Sequence, residues 1–233
     1  MAMFPTEAIA PAGEERLFFR QVFGWMAVGL AVSGAVAVGI GHSAGAMHAL
    51  YGTSGGSVLL IVSFAIELIL VFTLSGLIQH MGVVEAAGSF LAFAALNGVT
   101  VSSIFFVYTS DSIYSTFFVT AGMFAVLALW GYTTSSDLTG WGSFLLMALV
   151  GQLIGLLVNA FWLNKELYWV TTATGVLLFS ALTAYDVQKL KRLEPPEADA
   201  ETVERTAIFG ALALYLDFIN LFLYLLRIFG RRR

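Results

Sequence analysis

The sequence predicts an all-α membrane protein, a bundle of seven transmembrane helices. Hydrophobic residues make up 59% of the 233 positions and charged residues only 11%, with a mean hydropathy of +0.87, well outside soluble usage. The apolar residues come in long blocks and not at amphipathic spacing. Seven of those blocks reach about the 20 residues that a helix needs to cross the hydrocarbon. The absence of cysteine excludes a disulfide framework, thiol catalysis and thiolate metal sites. The net charge of -4 is carried mainly outside the blocks and offers no basic surface for nucleic acid.

The first block, residues 17–41, is longer than a signal-peptide core and follows Glu14 and Glu15 beside Arg16, so it reads as a true span. Turn residues between Gly52 and Gly56 precede the second, 58–78. The third, 83–108, and fourth, 113–132, are joined by Thr109-Ser110-Asp111-Ser112. A loop from Thr133 to Gly140 leads to the fifth, 141–163, and Asn164-Lys165-Glu166 to the sixth, 167–190. Only the next connection, Lys191 to Arg205, is strongly polar; its Pro195-Pro196 stops the sixth helix before the seventh, 206–229. All four prolines fall outside the blocks, so no proline kinks are expected. Residues 1–16 are read as a short cytoplasmic segment, 17–230 as one transmembrane domain and 231–233 as a basic tail.

A cytoplasmic N-terminus places Arg16, Arg20, Lys189, Lys191, Arg192 and Arg205 inside and Lys165 outside. Arg227 and Arg231 to Arg233 conflict with that scheme if the last block crosses fully, and fit it if the last helix is re-entrant or if earlier spans dominate the insertion. Gly24, Gly29, Gly34 and Gly39, the series Ser33, Ala37 and Gly41, and the pair Gly151 and Gly155 are read as close helix contacts. Trp141, Trp162, Tyr168 and Trp169 are read as interfacial belts.

Three acids stand in apolar surroundings with no Lys or Arg deep in any block: Glu67, Asp186 and Asp217. A charge at bilayer depth costs about 3 kcal/mol or more, which makes each a candidate functional residue. Asp217 lies 11 residues into the last block, about 16 Å deep at about 1.5 Å per residue. Asn220 and Tyr224 follow at three and seven residues, a stripe expected to face the interior. Asp186 lies near the cytoplasmic end of the sixth block, where it either meets Asp217 or pairs with Lys189 or Lys191. Two carboxyls in contact share a proton and titrate as a unit. Once both are ionised they repel or attract a hard cation, and calcium fits oxygen-only ligation. Glu67, mid-way along the second block, either extends an acidic path or is a neutral acid hydrogen-bonded to a neighbour. Asn97, Gln152 and Asn159 read equally as helix-to-helix glue. His42, His48 and His80 sit at block ends without metal-ligand spacing.

The segment Tyr215-Leu216-Asp217-Phe218-Ile219-Asn220-Leu221-Phe222, followed by Leu225-Leu226-Arg227-Ile228-Phe229-Gly230, resembles the Bax inhibitor-1 family, in its bacterial type. Ala184-Tyr185-Asp186-Val187-Gln188 resembles that family's acidic end of the sixth helix. The resemblance implies a seven-helix bundle with the last helix central, wrapped by the other six. It also implies a pH-sensitive calcium leak whose proton sensor is Asp186 with Asp217, and an acid of the second helix at Glu67. Bacterial relatives hold the sixth-helix aspartate with an arginine near the end of helix two. Here that region reads Gln79-His80-Met81-Gly82, leaving His80 as a titratable substitute.

The expected function is therefore a cation leak gated by a proton-sharing aspartate pair, with calcium bound transiently and no cofactor. Its expected partners are the bilayer, calcium and protons, in a bacterial inner membrane. The competing reading is a non-conducting regulator of a membrane-bound protease or of a stress or cell-death pathway. A third resemblance, to intramembrane aspartyl proteases such as presenilin, fails on motif. No Gly-x-Gly precedes Asp217 and no proline follows residue 196, so no enzyme is expected.

Overall fold

The computed structural model describes residues 12–193 and 199–233. Most of the expected N-terminal segment and the Pro195-Pro196 stop lie outside the described residues. In chain order the helices are α1 (Ala12–Gly41), α2 (Ala44–Tyr51), α3 (Ser54–Leu77), α4 (Val83–Val101), α5 (Ile104–Val107), α6 (Ser110–Thr133), α7 (Gly142–Trp162), α8 (Lys165–Leu193) and α9 (Ala200–Phe229), with short 3-10 turns at Ile78–His80 and Thr139–Trp141. Among the described residues seven stretches are long and apolar enough to cross a membrane, α4 and α5 together making the third.

Local chemistry sets the helix starts. The Ser43 hydroxyl accepts from the Ala46 N–H to begin α2, an eight-residue helix that the hydropathy blocks do not announce because it is too short to span. The Thr53 hydroxyl accepts from the Gly56 N–H at 3.0 Å and starts α3. Glu85 reaches back to the Gly82 N–H at 3.2 Å at the head of α4, and Asp199 accepts from the Thr202 N–H at 3.3 Å to start α9. Each cap satisfies a donor that the helix itself leaves open.

Helix α9 is apolar on nearly every side, and such a helix must be buried. In its most apolar window 72% of residues are buried, against 11% for α3 and for the span containing α7. Its main neighbours are α1, α4, α6 and α8, whereas α3 packs on α4 and α7 on α8. The central position expected from the resemblance holds, but four helices and not six form its main wall. The outer helices turn Ile61, Phe72, Leu146 and Phe161 towards lipid.

Helices α8 and α9 are antiparallel with a readable register. Leu190 lies against Gly210, Asp186 meets Asp217, and the rings of Phe179 and Tyr224 stack at 5.8 Å. The first two turns of α9 therefore project beyond the end of α8. The helix begins at Ala200 and not near residue 206, which places Asp217 about 26 Å along it at about 1.5 Å per residue.

That helix is continuous for 30 residues. Its first turns sit beside the turn that opens α4, where Arg205 donates to the Met81 carbonyl at 3.1 Å. Its far end meets the opposite end of the α4–α5 stretch. There the Arg233 N–H donates to the Val107 carbonyl at 3.0 Å and the Thr109 N–H to the Arg231 carbonyl at 2.9 Å. A continuous helix whose two ends meet opposite ends of the α4–α5 stretch is the geometry of a crossing helix and not of a re-entrant one, and the basic tail is pinned to the α5–α6 connection.

The glycine expectation holds only in part. A Cβ on Gly29 would strike Phe90, one on Gly41 would strike Phe105, and one on Gly98 would meet the Ser33 backbone. Gly24, Gly34, Gly39 and Gly151 face open space. A five-residue step turns a helix by about 140°, so that series never shared a face. The four-residue series Ser33, Ala37 and Gly41 does, and it lies on the contact side of α1.

Candidate functional site: a buried carboxyl pair and a separate acidic network

Asp217 sits mid-way along the central helix with 4% of its surface exposed. Asp186 is partly buried on α8, and its carboxyl faces that of Asp217 across the interface, close enough for each to act on the other. Asp217 Oδ2 has no donor among the described residues. Two carboxylates can only accept and they repel each other, so facing carboxyls in a core favour sharing a proton. The Lys189 ammonium, one turn along α8, is near enough to attract Asp186. Lys189 therefore acts on Asp186 as a nearby charge, while the carboxyl that Asp186 faces is that of Asp217.

The stripe expected from Asp217, Asn220 and Tyr224 is split. Tyr224 faces α7 and α8, where its hydroxyl accepts from Gln152 Nε2 at 2.7 Å. Gln152 also donates to the Thr171 carbonyl at 2.6 Å and accepts from Thr174 at 3.0 Å, so its amide is satisfied on both sides. Asn220 turns the other way and donates to the Leu216 carbonyl at 2.8 Å. It lines a cavity of about 340 Å³ shared with Glu67, Asn97 and Thr100.

Glu67 is buried although the rest of α3 is largely exposed. Its Oε1 accepts from the Thr100 hydroxyl at 2.5 Å and its Oε2 from Asn97 Nδ2 at 3.1 Å. The Asn97 Oδ1 accepts in turn from the Tyr215 hydroxyl at 2.9 Å. This network lies between α3, α4 and α9, on another side of α9 from the aspartate pair. Among the described residues no group of three His, Asp or Glu side chains is placed to hold a metal ion. Sequence reading missed the reach of Asn97, whose only signal was an amide inside an apolar block.

His80 is exposed on the 3-10 turn, which packs against α3 and α9. The expectation that no permanent charge lies near this end of helix two is corrected by Arg205, which reaches Met81, the next residue. Sequence distance hid it, because the projecting start of α9 supplies the guanidinium. Arg205 stands 12 residues before Asp217, about 18 Å along the helix, and is not a latch on the pair.

A central helix bearing a buried acid, paired with an acid of the preceding helix inside seven apolar spans, defines a class of multi-pass membrane proteins. The family described as inhibitor of apoptosis-promoting Bax1 matches residues 15–233. An inner membrane protein of Escherichia coli, YbhL, is 47% identical over 228 residues, covering 97% of this chain and 96% of its own. Uncharacterized proteins of Borreliella burgdorferi and Deinococcus radiodurans are 41% and 38% identical, covering 93% of this chain and 92% and 91% of theirs. The chain belongs to the Bax inhibitor family.

Proposed function

We propose that this protein is a pH-sensitive cation leak of a bacterial inner membrane, with calcium as the permeant ion and Asp186 and Asp217 as its proton sensor. The observation that carries the reading is the contact of two carboxyls in the core, one of them almost fully buried. With one proton between them the pair is a hydrogen bond that fastens α8 to α9. Without it, two negative charges face each other at low dielectric and repel, or draw in a divalent cation. Raising pH thus loosens the helix pair and favours cation entry. The location rests on the inner-membrane assignment of the E. coli relative.

Calcium flux from pure protein in liposomes, scanned across pH, tests the reading. The parent should conduct more as pH rises, and Asp186→Asn and Asp217→Asn should each flatten that profile because the coupled titration is gone. A parent-like profile in both folded variants overturns the sensor. No flux from the parent at any pH overturns the leak and leaves a regulatory role.

A further inference from the structure

We infer that the cleft between α1 and α6 holds an acyl chain of an anionic phospholipid, its headgroup against Arg16. Both helices pack on α9, and near the mouth they meet edge to face through Phe19 and Tyr132, whose ring centroids are 5.1 Å apart. The gap between them is an apolar groove of about 570 Å³ walled by Ala27, Ala125 and Leu129 and floored by Phe218. A second cavity of about 310 Å³ continues it beyond Leu30 towards Val38. Seven apolar spans put this groove against lipid tails.

Charge selects the headgroup. Arg16, exposed, stands at the mouth of the groove. Across the mouth Tyr132 lines the wall, and the Lys191 ammonium lies 4.5 Å from the centre of its ring. From Arg16 to Leu30 the groove follows 14 residues of α1, about 21 Å at about 1.5 Å per residue. That exceeds one leaflet's share of a hydrocarbon core about 30 Å thick, so one acyl chain fits lengthwise with its phosphate at Arg16. A cation at a membrane surface strengthens anionic-lipid binding roughly fivefold. A single arginine is therefore measurable against the apolar contribution of the walls.

Native mass spectrometry of the protein taken from mixed phosphatidylglycerol and phosphatidylcholine nanodiscs tests the assignment. The parent should retain phosphatidylglycerol roughly fivefold over phosphatidylcholine. Arg16→Gln should bring the ratio near one while bound lipid persists. Ala27→Phe and Ala125→Phe, at exposed wall positions, should displace both lipids while leaving thermal unfolding unchanged. A parent without headgroup preference, or an unchanged ratio in Arg16→Gln, overturns the headgroup assignment. Retention unaltered by both phenylalanines overturns the groove.

Discussion

At Asn97 one amide serves two partners: it donates to Glu67 on α3 and accepts from Tyr215 on α9. Interhelical hydrogen bonds in membranes average about 0.6 kcal/mol, and stranding a buried partner costs about 1–3 kcal/mol. Asn97→Leu strands two, so it should lower stability by about 2–6 kcal/mol, read as detergent unfolding; an unchanged midpoint would show the network to be idle. Glu67→Gln is subtler. Its amide keeps the network when the oxygen faces Asn97 Nδ2 and the NH2 donates to the Thr100 hydroxyl, so the main change is the loss of the acid. We expect this variant to reduce cation flux in liposomes more than it moves the pH midpoint, since Glu67 is separate from the aspartate pair. Unchanged conductance would make Glu67 purely structural. Asp217 was legible in the sequence because a carboxyl inside an apolar run is costly unless it has a partner. The partners of Asn97 were not, standing 30 and 118 residues away, a proximity that only packing creates.

Between elements, the end of α8 grips the connection from α6 to α7. Gln188, buried, accepts from the Leu138 N–H and donates to the Ser136 carbonyl, both at 2.8 Å. Arg192 pairs with Asp137 at 2.7 Å and bonds the Thr139 hydroxyl. The ion pair is exposed, 49% and 67% at its two ends, and such pairs contribute about 0–1 kcal/mol. Gln188 is the stronger hold, because losing it leaves a buried N–H without an acceptor, at about 1–3 kcal/mol. Gln188→Met should therefore destabilise more than Arg192→Gln at pH 7, and the reverse order would refute the ranking. The Asp137 carboxyl is held down to about 2, first by the Thr139 hydroxyl, then by the Thr139 N–H and Arg192. Its folded value lies below the ordinary value of about 3.9, so its contribution is complete above about pH 4 and fades as pH falls through about 2. The penalty of Asp137→Asn should shrink over that window in thermal unfolding. Helix existence was readable here from block length alone. The α8–α9 register was not, since the early start of α9 leaves no hydropathy signal among Ala200, Glu201 and Thr202.

Across the whole molecule the cations are shared almost evenly between the two ends. Arg16, Arg20, Lys189, Lys191, Arg192 and Arg205 lie towards one end of the bundle, and Lys165, Arg227, Arg231, Arg232 and Arg233 towards the other. Six against five is a weak bias for the rule that keeps cations cytoplasmic. The second group is mostly C-terminal and engaged. Arg227 lies 5.5 Å from the Tyr168 ring, Arg232 donates to the Tyr168 hydroxyl at 3.3 Å, and the tail pairs with Tyr108. Earlier spans are inserted before these arginines are made, so Arg16 and Arg20 should set the orientation. The chain has no cysteine, which makes single-cysteine labelling clean. Ser136→Cys should react with an impermeant maleimide only from the cytoplasmic face, and Lys165→Cys and Arg233→Cys only from the opposite one. Labelling of positions 136 and 233 from a single shared face would mean that α9 does not cross. Labelling of every position from both faces would mean that the near-balance of charge leaves the protein inserted in two orientations.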